Sequence, residues 1–377
     1  MTMKIIADDK IPFLKGVLEP FADVEYLPGH LITSEHVKDA DALLIRTRTR
    51  CNESLLSGSR VQFIGTATIG YDHIDTNWCN SHGIVWKNAP GCNASSVAQY
   101  LASTLLNLAR KYRFSLIDRS LGVIGVGNVG SRVVHLAEML GMRVYLCDPP
   151  RVRNEGVCGF ISLEGIIREC DIITFHVPLN LTGEDKTFHM INHDFLSKLN
   201  KGTIIINTSR GEVASGNALK DALKAGTIDA LVLDVWENEP MIDQELMQLT
   251  AIATPHIAGY STDGKAQGTA MIIRELSRFF GLEMDDWEPN YIAEPDNPEI
   301  LIDCRKLSDE EVITRAILHT YDVSDDDQRL RDRPDEFEKQ RGAYPLRREF
   351  KAYKARLDYA GNDLRRTIRK IGFKLAN

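Results

Sequence analysis

The chain lacks any apolar run long enough to cross a bilayer. Its longest charge-free stretch, residues 88–109, is broken by Pro90, Gly91, Asn93, Ser95, Ser96 and Gln99. A spanning helix needs about 20 predominantly apolar residues, so this stretch reads as a loop feeding a buried helix. The first residues, MTMKIIADDK, place charges where a secretory leader needs its apolar stretch. No membrane partner and a cytoplasmic location are therefore expected. Cysteine is sparse: seven residues, at 51, 79, 92, 147, 158, 170 and 304, with no CxxC pair and an odd count. That argues against a disulfide scaffold and fits a reducing compartment. No His/Cys/Asp cluster has ligand spacing, so no metal is expected. Positive charge is not in excess either. Lys+Arg 45 against Asp+Glu 53 gives −8, which speaks against broad adhesion to nucleic acid or anionic lipid. Internal repeats and low-complexity tracts are absent.

What is present is ordinary globular material, 43% hydrophobic and 26% charged. At roughly 100–200 residues per domain, a chain of 377 residues should hold two or three domains. Residues 3–7, 42–47, 61–67 and 84–86 read as strands separated by helical or turn-rich segments, the alternation of a parallel sheet with crossovers. A helix is expected from near Ser96, where Ser96 and Gln99 have capping-box spacing and Val97, Leu101, Leu105 and Leu108 share a face. Residues 121–126, 143–148, 171–176, 203–208, 230–235 and 252–254 then form six candidate strands. Several are apolar throughout, as strands buried on both faces should be. Six such strands fit a doubly wound nucleotide-binding sheet. Beyond residue 282 the composition changes. Residues 283–311 hold eleven acids and two bases, and residues 350–377 hold eight Lys/Arg and two Asp. These blocks suit pairing within one chain or across a dimer. The Asp325-Asp326-Asp327 run reads as a turn or a solvated face.

The strongest motif is Gly125-Val-Gly127-Asn128-Val129-Gly130. An apolar strand precedes it. A helix follows, with Val129, Val133, Leu136 and Leu140 on one face and Gly141 as its stop. A second strand leads to Asp148. Gly125 permits the tight turn, Gly127 lets backbone approach a pyrophosphate, and Gly130 lets helix and strand pack closely. The helix N-terminus offers free N–H groups to the phosphates. Asp148 can accept two ribose hydroxyls and repels a 2′-phosphate, which favours NAD over NADP, although Arg151 nearby could accept that phosphate.

Three polar residues follow strands of the same block: Arg210, Glu239 (five residues after Asp234) and His256. In a parallel sheet all strand C-terminal ends lie at one edge, so these three can converge. Arginine grips a carboxylate bidentately. Histidine can take the proton of a secondary alcohol while hydride leaves its carbon. A carboxylate on the second imidazole nitrogen would orient the ring and strengthen it as a base. His73, His176, His189 and His193 read as structural or exposed. Cys147 should face packed helix.

The segments GVIGVGNVG, CDPP, FHVPL, INTSRGEV, LDVWENEP and TPHIAGY resemble the D-isomer-specific 2-hydroxyacid dehydrogenases, and the likeness covers nearly the whole chain. GTATIGYDHID, PGCNASSVAQY and the tail segments TYDVSDDD and LRREF resemble a branch that acts on a phosphorylated hydroxy acid. The resemblance implies an α/β fold: a Rossmann-type dinucleotide-binding domain over residues 96–256, a flavodoxin-like substrate domain over 1–95 with a return segment near 257–281, and a C-terminal α+β dimerisation module over 282–377. A cleft that closes on substrate would come with it. The resemblance also implies an NAD-dependent oxidoreductase acting as a homodimer. Arg210, Glu239 and His256 would be its catalytic residues. NAD contacts would include Gly125, Gly127, Asn128, Val129, Gly130, Asp148, Val177, Thr208, Ser209, Arg210, Asp234 and Gly259. Substrate contacts would fall on Thr47, Thr68 and Tyr260. Val177 stands where related enzymes often carry threonine, which leaves its backbone as the contact. Arg46, Arg48 and Arg50 alternate with threonines and would share one face of an extended segment. Arg46 is the candidate for the substrate phosphate, with Arg347 and Arg348 as lesser ones. A phosphoglycerate dehydrogenase of serine synthesis and a non-catalytic NAD(H)-sensing corepressor-like protein remain as alternatives.

Overall fold

The computed structural model describes residues 2–156 and 159–376, so Cys158 lies outside the described residues. The chain divides into two compact units, Met1–Asn93 with Ser261–Ala293, and Ala94–Tyr260 with Glu294–Asn377.

The first unit is built on strands β1 (Met3–Asp8), β2 (Ala22–Leu27), β3 (Ala42–Ile45), β4 (Phe63–Thr66) and β5 (Val85–Lys87). All pair in parallel, in the order β2-β1-β3-β4-β5. That is the flavodoxin-like order of a doubly wound sheet. Both faces are covered, because alternate residues of each strand point to opposite sides. Ile6, Leu43, Ile45 and Ile64 enter one core. Ile5, Ala7, Leu44 and Phe63 enter the other, against Ile272, Ile273 and Leu276 of the returning helix Thr262–Phe280. That helix is capped by Ser261, whose Oγ accepts from Gly264 N at 2.8 Å, and it stops at Gly281 in the left-handed region. Full burial of a residue such as Leu276 contributes about 1.5–3 kcal/mol.

The second unit opens with helix Ala94–Tyr112 and continues through β6 (Ser120–Ile124), β7 (Arg143–Cys147), β8 (Ile172–Phe175), β9 (Thr203–Asn207), β10 (Ile228–Leu233) and β11 (Ile252–Ala253). The sheet is parallel, in the order β11-β10-β9-β8-β6-β7. Strand order reverses between β6 and β8, so the crevice at their carboxyl ends is where a ligand of such a sheet binds. The tail adds a second, three-stranded sheet: β12 (Glu299–Asp303), β13 (Lys354–Asp358) and β14 (Lys374–Leu375), again parallel. Helices Asp309–Thr320 and Val323–Asp332 lie between β12 and β13.

Four expectations change here. The long helix begins at Ala94 rather than near Ser96, so Ser96 and Gln99 are interior residues and do not cap it. They face the tail: Ser96 Oγ donates to Glu349 at 3.0 Å, and Gln99 Nε2 donates to the Arg348 carbonyl at 2.9 Å. The acidic run is helical. Asp326 is 3% exposed and accepts from the hydroxyls of Tyr321 (2.8 Å) and Tyr344 (2.6 Å) and from Arg329. Arg347 is 4% exposed. It donates to Gln99 Oε1 and the Ser96 carbonyl and lies over the Tyr321 ring, so it is a packing residue of the second unit and no free phosphate ligand. Arg348 is buried too. Finally, Arg46 to Arg50 form a turn, not an extended segment. Arg46 is half-buried with its Nη1 on the Lys10 carbonyl, whereas Arg48 and Arg50 are exposed.

Among the described residues no helix is long and apolar enough to cross a membrane, and no cluster of His, Cys, Asp and Glu is arranged to hold a metal ion. Cys147 is buried, which pushes its thiol up to about 11, and it is inert for that reason.

Candidate active site

The phosphate loop leaves β6 at the switch point. Gly125 has φ +85, and a Cβ there would strike the His176 carbonyl and the Val177 side chain beyond the end of β8. Gly130 packs so closely that its Cβ would collide with the Gly125 carbonyl oxygen. Gly127, by contrast, faces open space: nothing lies within 4 Å of its would-be Cβ. A side chain is thus excluded at two glycines by the fold and at the third only by what must approach it. Helix Asn128–Met139 starts at once, with Asn128 exposed and the Val129 side chain turned into the core. The first N–H groups of that helix remain for a ligand.

Asp148 follows β7 and caps the next helix. Its Oδ2 accepts from Val126 N at 2.8 Å and its Oδ1 from Arg151 N at 3.1 Å. Each oxygen keeps a further lone pair for a ribose hydroxyl. Arg151 is engaged elsewhere: Nη1 donates to the Val126 carbonyl at 2.8 Å and Nε to Glu155 at 2.8 Å. Its charge is matched by Glu155, so the arginine that could have welcomed a 2′-phosphate is occupied. The residues present fit NAD.

At the end of β9, the buried Asn207 braces the next turn. Its Oδ1 accepts from Ser209 N (3.0 Å) and Ser209 Oγ (2.7 Å), and its Nδ2 donates to the Arg210 carbonyl at 2.9 Å. Thr208 Oγ1 lies 3.4 Å from His176 Nδ1. His176 is held neutral because burial lowers its pKa to about 3, so it serves as structure. Arg210 is half-buried, with Nη1 on the Ser209 carbonyl at 2.8 Å. A Cβ on Gly211 would overlap the Trp236 carbonyl group. The glycine therefore seats the Arg210 turn directly on the loop that carries Glu239.

That loop and the one after β11 meet in the decisive contact. Glu239 Oε2 accepts from His256 Nδ1 at 2.7 Å, and Glu239 Oε1 accepts from Trp236 N at 2.9 Å. Burial alone would raise the Glu239 carboxyl. The charge and hydrogen bond of His256, the Trp236 N–H and the charge of Arg341 outweigh it, and the pKa is lowered. An ionised Glu239 fixes the Nδ1–H tautomer, which leaves Nε2 as the basic nitrogen. His256 itself sits at φ +56, a left-handed conformation uncommon outside glycine. Asp234 holds it there. The buried Asp234 carboxylate accepts from Ile257 N (2.7 Å), Ala258 N (2.9 Å) and Thr254 Oγ1 (2.7 Å). Thr254 Oγ1 in turn takes the Tyr100 hydroxyl at 2.7 Å. Asp234 thus shapes the turn 256–260, a role that its expected place among the cofactor contacts does not convey.

Gly259 and Tyr260 follow in the same turn and are half-buried. Thr47 and Thr68 belong to the first unit. Thr47 is exposed. Thr68 Oγ1 lies 2.8 Å from Thr66 Oγ1 and donates to the Gly70 carbonyl at 2.9 Å. His73 bonds Thr66 at 3.0 Å as a structural residue.

Residues 97–258 match the NAD binding domain of the D-isomer specific 2-hydroxyacid dehydrogenases, and residues 294–372 match a domain family of unknown function. The chain is 50% identical over 353 residues to the erythronate-4-phosphate dehydrogenase of Bacteroides fragilis, covering 93% of this chain and 99% of that one. The chain belongs to the erythronate-4-phosphate dehydrogenase family. A more distant member, from Yersinia enterocolitica, is 38% identical over 98% of this chain and 99% of its own. Among solved structures, a D-lactate dehydrogenase from Aquifex aeolicus complexed with NAD and lactic acid superposes with a TM-score of 0.62 at 27% identity, covering 78% of this chain and 99% of that one. An NAD+-bound 3-phosphoglycerate dehydrogenase from Entamoeba histolytica gives 0.64 at 25% identity, over 78% and 100%. Family membership makes the chain an NAD-dependent dehydrogenase with a Rossmann-type cofactor domain.

Sequence reasoning missed Asn207, Gly211 and Thr254. Each acts through contacts to residues distant in sequence or to backbone. Only the run INTSRGEV, with Asn207 and Gly211 flanking the arginine, carried a usable signal.

Proposed function

We propose that this chain oxidises 4-phospho-D-erythronate to (R)-3-hydroxy-2-oxo-4-phosphooxybutanoate in pyridoxal 5′-phosphate biosynthesis, with NAD as oxidant. The reaction type rests on the 2.7 Å His256–Glu239 pair at the same sheet edge as the phosphate loop. The substrate rests on the likeness to the erythronate-4-phosphate dehydrogenases of Bacteroides fragilis and Yersinia enterocolitica. NAD, held by the phosphate loop and Asp148, would supply the acceptor for the hydride of C2. His256 Nε2 takes the proton of the C2 hydroxyl, and the C2–O double bond forms. Glu239 keeps Nε2 basic and steadies the imidazolium as it develops. Arg210 grips the carboxylate beside C2 and fixes which face is presented. We assign Thr47, Thr68 and Tyr260 to substrate contact, and Gly125 to Gly130, Asp148, Val177, Thr208 to Arg210, Asp234 and Gly259 to the cofactor. Arg46, next to Thr47, is the phosphate candidate.

We also propose a cytoplasmic homodimer joined through the tail. β12 and β13 each bury alternate residues and leave Glu299, Leu301, Asp303, Lys354, Arg356 and Asp358 exposed on the other side. Leu301 is 71% exposed on that face. A sheet face with such an apolar residue suits a second copy of the chain. Light scattering on the full chain should give twice the monomer mass, and a monomer would refute this.

The test of function is product formation with NAD on 4-phosphoerythronate and on 3-phosphoglycerate, trapping the 2-oxo acid chemically. Preference for the four-carbon acid supports the reading. Preference for the three-carbon acid moves the chain to serine synthesis. NAD binding with no product from either favours a sensing role.

A further inference from the structure

The tail reaches the catalytic edge from within the second unit. Arg341, in the short helix Phe337–Gly342, places its guanidinium 5.6 Å from the centre of the Tyr260 ring. Its Nη1 donates to Glu338 at 2.6 Å, while its Nε is buried without a hydrogen-bond partner. Tyr344 meets the same Tyr260 ring edge-on, with centroids 5.8 Å apart and planes at 89°. The Tyr344 hydroxyl is tied to the buried Asp326. Arg347 donates to the Ile257 carbonyl at 3.3 Å, one residue past His256. Three tail residues thus contact the turn 256–260.

We propose that Arg341 is a positioning residue for the dehydrogenase reaction, supplied by the tail to hold Tyr260 and Glu239 in their working arrangement. The geometry carries two consequences. A cation over the Tyr260 ring favours one ring orientation, worth more where it is shielded from water. Its charge also acts on Glu239, helping to keep that carboxyl low together with His256 and the Trp236 N–H. The groups that face Arg341 are Tyr260, Glu338 and Glu239, and burial opposes its charge. A half-buried guanidinium with a buried, unpartnered Nε is costly to keep. A second copy of the chain is not needed for this role, since all these residues lie in one unit of one protomer.

The proposal rests on the dehydrogenase reading, and its test is built to separate the two. R341Q and R341K are made in the full chain. Activity is followed from acid to neutral pH on whichever of 4-phosphoerythronate and 3-phosphoglycerate the unmodified chain turns over. A wrong substrate assignment then leaves this test intact. R341Q should lower kcat about fivefold, the equivalent of about 1 kcal/mol of lost cation–π support for Tyr260. Its acid limb should move to higher pH, because Glu239 protonates more readily without the cation. R341K keeps the charge and should recover most of both effects, and it serves alone if R341Q does not fold. NAD affinity, read by fluorescence, should stay within about twofold, since Arg341 acts through Glu239 and Tyr260 and not through the phosphate loop. An R341Q profile that superimposes on that of the unmodified chain overturns the proposal. So does a folded R341K as impaired as R341Q.

Discussion

Replacing Glu239 by Gln tests the catalytic assignment at its narrowest point. The carboxylate serves two donors, Trp236 N at 2.9 Å and His256 Nδ1 at 2.7 Å. Glutamine offers one oxygen and one NH2. A backbone N–H can only donate, so the amide oxygen must stay with Trp236. The NH2 then faces Nδ1, which has to become an acceptor, and the ring proton moves to Nε2. That is the nitrogen required to take the alcohol proton, so the base is lost without any change of shape. Acid–base catalysis contributes roughly 10²–10⁴-fold, and kcat should fall within that range. The NAD dissociation constant should stay within about twofold, since no phosphate-loop residue is touched. Losing one charge-assisted hydrogen bond at a half-buried site should cost about 1–2 kcal/mol of stability. The pH dependence of that cost has a definite sign. The Glu239 carboxyl lies below its ordinary value of 4.5 in the folded chain, so it stabilises the native state above that pH. The contribution disappears as pH falls through the lowered folded value. The gap in melting temperature between E239Q and the unmodified chain should therefore close on acidification below about pH 4.5. Trapped 2-oxo acid gives the rate, and E239Q within threefold of the unmodified rate would remove Glu239 from the mechanism.

Other variants follow from the same contacts. G127A should fold normally, because its Cβ meets nothing within 4 Å, yet weaken NAD binding measurably by fluorescence titration. G130A should instead lower the melting temperature by overpacking, at a cost of about 1–3 kcal/mol or more, since its Cβ meets the Gly125 carbonyl. If both behave alike, the division of roles along the loop is wrong. D326A strands the Tyr321 and Tyr344 hydroxyls and Arg329, and chemical denaturation should show a loss of about 3–5 kcal/mol. A loss under 1 kcal/mol would show that this buried cluster is not needed. D148A should lower affinity for NAD more than for NADP, and an unchanged ratio of the two would dissociate Asp148 from the ribose.

The cofactor half of this protein was legible because its determinants are local. Gly125, Gly127 and Gly130 sit on one turn between a buried strand and a helix, and Asp148 closes the next strand. Period, turn and spacing report such arrangements within about thirty residues. The meeting of Glu239 and His256 was also readable, since parallel strands deliver their C-terminal ends to one edge. The tail was not. Asp326 looked like a solvated acid and Arg347 like a free cation, because charge along a sequence carries no record of burial. Both become interior groups once Tyr321, Tyr344 and the helix Ala94–Tyr112 close around them. Ser96 and Gln99 had the spacing of a cap, but the helix began two residues earlier and gave them tail partners instead.

The sequence by itself determined the pieces: a glycine-rich loop between strand and helix, an aspartate just past the next strand, and an arginine, a glutamate and a histidine placed after successive strands. The tertiary structure decided how those pieces are held. The tautomer of His256 depends on its contact with Glu239, which Trp236 N–H holds, and its left-handed backbone on the turn that Asp234 fixes. The reason is physical. A hydrogen-bond donor or a charge acts over a few ångströms, and only the folded chain sets which groups, up to about a hundred residues apart, fall within that range.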